Sequence, residues 1–175
     1  MRTTDDLNAA LPHILAAPKD AAPVTCLCFR PGYGLRTFPG SLTLTRDGGI
    51  PGERWTKAPW LKLADGSPDP RIQVSILPKR VMDLVCEGGL HPGDPVIADL
   101  DVTEANMPVG TLLQLGSAVV RVSDAFNDGC VKWKVRYGAD AKNWIVQDPS
   151  LRLRGILCSI EQDGEVALGD TIRKL

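Results

Sequence analysis

Hydrophobic and polar residues alternate without interruption from residue 129 to residue 137, which read GCVKWKVRY. After the glycine, the odd-numbered residues are apolar, and the even-numbered ones are one cysteine and three cations: Cys130, Lys132, Lys134 and Arg136. Successive side chains of an extended strand point to opposite faces. The alternation therefore predicts a strand with one face buried in a core and a single thiol in line with three cations on the other.

Apolar residues at helical spacing predict two helices. The first covers residues 4–16. The second follows a short strand over residues 71–75, with Ser75 as its N-cap and the Gly88-Gly89 pair as its end. Each of these segments is short, so neither predicts a helical bundle.

The remaining pattern is that of a β protein. Short apolar runs predict strands at 24–29 and 42–45, and from residue 90 onward similar runs lie between closely spaced turn signals. Short strands at this spacing favour a closed or nearly closed β-barrel, which leaves no long sheet edge open. We therefore predict a mainly β fold with a few short helices. Residues 1–23 form an N-terminal helix and linker in this interpretation, and residues 24–175 form the barrel domain.

The apolar parity changes once within a predicted strand. Leu151 and Leu153 are odd-numbered, whereas the apolar residues after Gly155 are even-numbered. A one-residue slip at a glycine predicts a β-bulge or a sharp bend. Such irregularities often lie beside sites because they redirect side chains. Arg152 and Arg154 come just before it, and two solvent-facing arginines at a barrel corner explain the pattern equally well.

Composition narrows the function classes. The chain has 175 residues and a formal net charge of -1, so no global basic field indicates nucleic-acid binding. No apolar run approaches the roughly 20 residues of a membrane-spanning helix. The N-terminal segment lacks the charged and then apolar pattern of a signal peptide. We expect a cytoplasmic protein that does not bind membranes.

The five cysteines are spaced irregularly, and no pair has the two-residue separation that is usual for zinc or redox pairs. Cys26 and Cys28 lie in an apolar run and are expected to be small core or strand residues. Cys86 falls on a predicted helix and Cys158 on a predicted strand. Cys130 alone has a polar setting marked by a glycine and by cations.

Two interpretations of Cys130 remain open. Nearby positive charge favours a thiolate, which is the nucleophilic and metal-binding form of cysteine. The same cations would suit an anionic cofactor. The alternative is a strand with a solvated charged face and an incidental cysteine, since exposed lysines on strands are common.

The segment from Gly48 to Trp55, GGIPGERW, is the second candidate. Its glycines bracket Glu53 and Arg54, and a flexible turn with an arginine can hold a phosphate or a carboxylate. The lysine and hydroxyl residue of a phosphate-binding loop are missing. An ordinary turn is therefore the simpler interpretation.

Five segments in this order resemble the MOSC domain, named for the C-terminal domain of molybdenum cofactor sulfurase. They read GGIPGERW, RIQVSILPKRVMDLV, GGLHPGD, MPVGTLLQLGSAVVRVSDAFNDGCVKW and LRLRGILCSIEQDGEVALGD. The resemblance runs from about Val24 to the C-terminus. Its specificity lies in the order and spacing of the segments, because each string alone is weak.

This resemblance implies a β-rich barrel with a functional cysteine at Cys130. In similar proteins that cysteine carries sulfur as a persulfide or ligates molybdenum directly. The metal would be held by a molybdopterin-type cofactor, whose phosphate needs cationic partners. The residues here that are expected to bind the cofactor are Arg54, Asn127, Lys132, Arg136 and Arg154. Asp128 is the nominated proton donor beside Cys130, with Asn127 as the alternative.

The sequence also departs from the family pattern. Many small members carry a proline just before the cysteine, where this chain has Gly129. Many also have a Gly-Glu-Asn run after the helix, and the matching region here reads HPGDPVIADLDVTEAN. A polar site residue is therefore either missing or moved to Asn106 or Asp101.

Three functions follow from these residues. The first is a binding or carrier domain for the molybdenum cofactor or its sulfur, with a cysteine desulfurase as the expected partner. The second is a stand-alone molybdenum-dependent reductase of N-hydroxylated compounds, supplied with electrons by a separate redox protein. The third is a metal-free ligand-binding barrel in which Cys130 is structural.

Overall fold

The computed structural model describes residues 1–175 and contains nine β-strands. In chain order they are β1 (Ala22–Leu27), β2 (Ser41–Leu44), β3 (Val74–Pro78), β4 (Val96–Ala98), β5 (Leu112–Leu115), β6 (Ala118–Val122), β7 (Ile156–Gln162), β8 (Gly164–Ala167) and β9 (Thr171–Lys174). Seven of them close a barrel in the order β1-β4-β3-β7-β6-β5-β9, and β9 pairs back to β1. β2 and β8 form a separate two-stranded sheet. The mainly β barrel that the sequence predicts is confirmed.

All pairs in the barrel are antiparallel except β3 with β4, which run parallel. The barrel interior is filled by alternate residues of its strands. Leu113 and Leu115 of β5 point inward, and so do Val120 and Val122 of β6. The alternation of apolar and polar residues in these strands therefore reports the inner and outer faces of the barrel.

Five helices complete the fold: α1 (Thr4–Leu15), α2 (Arg54–Lys57), α3 (Lys79–Cys86), α4 (Val131–Tyr137) and α5 (Ala139–Trp144). All but α2 contribute to a second core on the outside of the barrel. Leu7 of α1, Val81 of α3 and Trp144 of α5 pack there against Leu77 and Ile97 of the barrel wall. The helices thus cover the outer side of β3 and β4. None of them is long and apolar enough to cross a lipid bilayer.

The strand predicted for residues 129–137 is wrong, because this segment forms the helix α4. Trp133 and Tyr137 are 3% and 4% exposed, whereas Val131 and Val135 are 76% and 71% exposed. Residues four apart lie on one face of a helix. Residues four apart also lie on the same face of a strand, so the spacing of Trp133 and Tyr137 fits both a strand and a helix. Only packing of Trp133 and Tyr137 into the helical layer selects the helix.

The boundary between β3 and α3 also differs from prediction. Ser75 lies inside β3, where its neighbours pair with β4 and β7, and α3 begins at Lys79 after Pro78. The strand predicted over 71–75 is replaced at its start by a 3-10 turn, Pro70–Ile72. The predicted end is correct, since the chain turns left-handed at Glu87 and Gly88 directly after α3.

A sharp bend at Gly155 is confirmed, and it precedes β7 rather than interrupting it. The Gly155 N–H donates to the Arg152 carbonyl over 2.7 Å, and β7 begins at the next residue. Gly155 has a φ of +86°, and a Cβ there would lie 2.2 Å from the Ile76 carbonyl oxygen. Glycine is therefore required for β7 to approach β3 at this point.

Candidate functional site

Cys130 is the one exposed cysteine, and it stands directly before α4 as its N-terminal flanking residue. The other four thiols are partly or fully buried, and all five are free. Burial raises the pKa of Cys28 to about 11 and that of Cys158 to about 12, so both remain protonated near neutral pH. Cys130 is thus the cysteine with the best access for a reaction with an external molecule.

The backbone just before Cys130 is hydrogen-bonded to α5. Lys142 donates through Nζ to the Gly129 carbonyl over 2.8 Å and also to the Asp128 carbonyl. Gly129 is buried at a φ of +69°, and a Cβ there would lie 2.8 Å from Cδ1 of Ile145. Glycine at this position lets the loop lie against α5. The Asp128 side chain is exposed, as the nominated proton donor would need to be.

Two of the predicted cations share one face of α4, since Lys132 and Arg136 are one turn apart. The Lys132 Nζ lies 3.7 Å from the ring centroid of Tyr33, and Arg136 donates to the Pro92 carbonyl over 3.2 Å. Lys134 points elsewhere and is exposed. The expected line of one thiol and three cations is therefore wrong, because a helix distributes these side chains around its axis.

Other arginines extend this charged face. Arg54 lies with its guanidinium carbon 5.6 Å from the centroid of the same Tyr33 ring, so Arg54 and Lys132 share one aromatic neighbour. Arg30 forms an ion pair with buried Glu53, and Arg36 packs with Arg30 against Gly93. We call the whole group the cation cluster; its members are Arg30, Arg36, Arg54, Lys132 and Arg136. Sequence reasoning missed Arg30 and Arg36, which lie in a turn-rich segment without periodicity.

The cation cluster has more positive than negative charge. Among its five members only Arg30 forms an ion pair with a carboxylate. Burial lowers the pKa of Arg36, and repulsion from Arg136 lowers it further. The Arg36 Nε is buried without a hydrogen-bond partner. An anion bound here would relieve this repulsion.

Arg154 is one of the two remaining predicted cofactor residues, together with Asn127. It forms a 2.8 Å ion pair with buried Asp94 and lies 4.5 Å over the ring of Trp133. Its carbonyl accepts a hydrogen bond from Nδ2 of Asn127 over 3.2 Å. Asp94 belongs to the GGLHPGD segment quoted above, yet nothing in the sequence shows that its carboxylate is buried against an arginine.

The polar residues suggested by the departure from the family pattern serve the barrel frame. Asn106 donates to the carbonyls of Lys19 and Asp101 and accepts from Lys174. The Asp101 carboxylate caps the Thr103 N–H. None of these contacts involves the cation cluster. Asp94 is the acidic residue that contacts the surroundings of Cys130.

Two recesses flank the site without containing Cys130. A cavity of about 170 Å³ has Asn127, Phe126, Arg152 and Gly155 in its wall, and one of about 260 Å³ borders Cys86. No three cysteine, histidine or acidic side chains are grouped so that they would hold a metal ion. A metal at Cys130 would therefore need further ligands from a cofactor.

Comparison with known proteins establishes the fold. No protein-family model and no curated protein matches the sequence. Among solved structures, the chain is similar to the YuaD protein of Bacillus subtilis, with 21% identity, a TM-score of 0.64 and coverage of 87% of this chain and 94% of that one. It is also similar to YiiM of Escherichia coli, with 16% identity, a TM-score of 0.58 and coverage of 89% and 69%. YiiM of Geobacillus stearothermophilus is 13% identical, with a TM-score of 0.61 and coverage of 88% of this chain and 75% of that one. These likenesses show that the chain shares a common architecture with YuaD and YiiM.

Proposed function

We propose that this chain is a cytoplasmic MOSC-type domain that binds a molybdopterin-type molybdenum cofactor, or carries sulfur for it, through Cys130. The observation that carries the proposal is the position of the one exposed thiol at the start of α4. The same helix presents Lys132 and Arg136 to the rest of the cation cluster. The sequence resemblance and the shared fold with YuaD and YiiM support the same conclusion.

The residues present fit such a cofactor. Excess positive charge and the buried, unpartnered Nε of Arg36 suit a phosphate-bearing anion. A soft thiolate suits molybdenum or sulfane sulfur, and a single protein ligand suffices where the cofactor supplies its own sulfur ligands. When bound, the cofactor would supply a metal centre for two-electron chemistry. Cys130 would ligate that metal, and Arg54, Lys132 and Arg136 would hold the phosphate.

In the carrier role, Cys130 takes sulfur from a persulfide on a partner such as a cysteine desulfurase. The Cys130 thiolate attacks the terminal sulfur of the partner's persulfide. A new sulfur–sulfur bond forms at Cys130 while the partner's sulfur–sulfur bond breaks, and the partner leaves as a thiolate. No external oxidant or reductant is consumed. Exposure of Cys130 meets the steric demand of this exchange.

The second candidate is a reductase of N-hydroxylated compounds. It is favoured by the 170 Å³ cavity beside Asn127, since a reductase needs a substrate recess and a carrier does not. The exposed side chain of Asp128, in its protonated carboxyl form, would be the proton donor. Electrons would come from a separate redox protein. The third candidate, a metal-free barrel with a structural Cys130, is disfavoured because an exposed thiol contributes little packing.

Metal content tests the proposal. Protein purified from a host that makes the molybdenum cofactor should contain molybdenum, and Cys130→Ser should lose it. Lys132→Gln and Arg136→Gln should each lower cofactor retention roughly tenfold, as expected for one charge-assisted contact. Lys134→Gln is the matched control, because Lys134 is on the same helix but outside the cation cluster. Equal molybdenum in the wild type and Cys130→Ser would exclude Cys130 as the ligand.

Intact mass distinguishes the two candidates. A carrier incubated with a cysteine desulfurase and cysteine should gain the mass of one sulfur atom at Cys130, and this gain should vanish with a reducing agent. A reductase should instead consume an N-hydroxylated substrate when it is loaded and given electrons. A chain that gains no mass and also contains no molybdenum would contradict the proposed function.

A further inference from the structure

Arg154 contacts the segment that carries Cys130 on both sides of the thiol. Ahead of Cys130, the Arg154 carbonyl accepts from Asn127, and its Cδ lies 3.6 Å from the position of a Cβ on Gly129. After Cys130, the Arg154 guanidinium carbon lies over the Trp133 ring, 4.5 Å from its centroid. Arg154 thus contacts residues on both sides of Cys130, between Asn127 and Trp133.

Asp94 fixes the guanidinium that makes these contacts. The Asp94 carboxylate is 2% exposed and the Arg154 side chain 13% exposed, and their ion pair is 2.8 Å long. Ser75 of β3 donates to the same Asp94 oxygen over 2.8 Å. A buried arginine deprived of its carboxylate is strongly unfavourable. The arrangement thus links the barrel wall, through two side chains, to the first turn of α4.

We infer that Asp94 and Arg154 are a positioning pair that orients Cys130, and that Arg154 is not a cofactor-binding cation. Its charge is offset by Asp94, and one face of its guanidinium is covered by Trp133. The cations of the cluster that have no carboxylate partner are Arg36, Arg54, Lys132 and Arg136. This inference rests on the proposed function only because it takes Cys130 to be the functional residue.

Spin labelling of Cys130 tests the inference on protein without cofactor. A thiol-specific nitroxide should attach to Cys130 alone, because the other cysteines are partly or fully buried. Its electron paramagnetic resonance line shape reports nanosecond motion of the segment. Arg154→Gln and Asp94→Asn should both shift the spectrum to a shorter rotational correlation time than in the wild-type chain.

Two further variants keep the test decisive. Leu113→Ala destabilises the barrel interior without contacting the segment, so it should leave the label's spectrum unchanged. Arg154→Lys keeps the charge but loses the planar contact with Trp133, and it should also increase label mobility. It serves as the second measurement if Arg154→Gln does not fold. Wild-type mobility in folded Arg154→Lys and Asp94→Asn would overturn the inference.

Molybdenum content separates this inference from the proposed function. Loss of molybdenum in Arg154→Lys with an unchanged nitroxide spectrum would make Arg154 a cofactor cation and overturn the positioning role. A wild-type chain that binds no molybdenum would reject cofactor binding. In that case the mobility shift in the Arg154 and Asp94 variants still decides whether the pair orients Cys130.

Discussion

Lys132 and Tyr33 form a cation–π contact in which the ammonium nitrogen lies 3.7 Å from the centroid of the ring. Tyr33 is 75% exposed, and the guanidinium carbon of Arg54 lies 5.6 Å from the same centroid. The loop that carries Tyr33 is also attached to α2, because Lys57 donates to the Pro31 carbonyl over 3.0 Å. One aromatic ring therefore links two of the cations proposed to hold the cofactor.

Removal of the Tyr33 ring should weaken cofactor retention. An exposed cation–π contact contributes about 0.5–1 kcal/mol, so Tyr33→Ala should lower retention by a factor of roughly two to five. Tyr33→Phe keeps the ring and should behave like the wild type. The measurement is the molybdenum that remains after extensive dialysis. Equal losses in both variants would show that the hydroxyl, and not the ring, is responsible.

Alkylation should single out Cys130 among the five cysteines. Iodoacetamide at about pH 8 should modify the native chain once, since Cys130 is exposed and burial raises the pKa of the other four thiols. Peptide mapping should place the added mass at Cys130. Cys130→Ser should remain unmodified over the same period, with Cys86→Ser as the control that still reacts. Faster reaction at Cys26 or Cys86 would contradict the described burial.

Alanine substitutions at two glycines with the same φ distinguish the cost of backbone strain from the cost of a steric overlap. Gly155 and Gly169 both have a φ of +86°, but only Gly155 has a neighbour within 4 Å of a Cβ. Gly169→Ala should cost about 1 kcal/mol for the left-handed conformation. Gly155→Ala should cost about 3 kcal/mol or more, because the new Cβ would overlap the Ile76 carbonyl. Urea unfolding of both variants measures the difference, and equal costs would contradict the close packing of β7 on β3.

The Asp94–Arg154 pair should make stability depend on acid. Burial alone would raise the pKa of Asp94, but Arg154, Ser75 and Arg30 outweigh burial and hold this pKa below its ordinary value. A carboxyl with a lowered native pKa stabilises the fold above its unfolded pKa of about 3.9, and this stabilisation is lost as the pH falls through the native value. The difference in the free energy of unfolding between the wild type and Asp94→Asn should therefore become smaller below about pH 4.

Urea titrations of both proteins at several pH values measure that gap. Other carboxyls with lowered pKa values, such as Asp69 and Glu161, are present in both chains, so their contributions cancel to first approximation. A gap that stays constant from about pH 6 to pH 3 would show that Asp94 is not ionised against Arg154 in the native state.

The barrel could be predicted from the sequence, whereas α4 could not. Strands such as β5 and β6 are short, alternate cleanly and end at turns, so only one structure fits their letters. For α4 the spacing of Trp133 and Tyr137 fits a strand and a helix equally, and the choice depends on packing against α5 and the barrel wall. Local pattern contains no information about that contact.

The candidate site was predictable in part for a similar reason. Cys130 stands out because a glycine and several cations flank it in the chain. Arg30 and Arg36 come from a turn-rich segment and join the cation cluster only through the fold. Asp94 is a buried carboxylate whose partner is 60 residues away along the chain. Long-range pairings of this kind are set by tertiary structure alone.

β6 and β7 pair directly, from Val119 with Gln162 to Val122 with Cys158, although residues 123–155 separate them in the chain. This connecting segment, which contains Cys130, α4 and α5, leaves the barrel after β6 and returns to it at the adjacent strand β7. The ladder is therefore complete without it. The pairing of β6 with β7 therefore does not depend on the segment that carries Cys130, and this segment can change by substitution or insertion while the strand pairing persists.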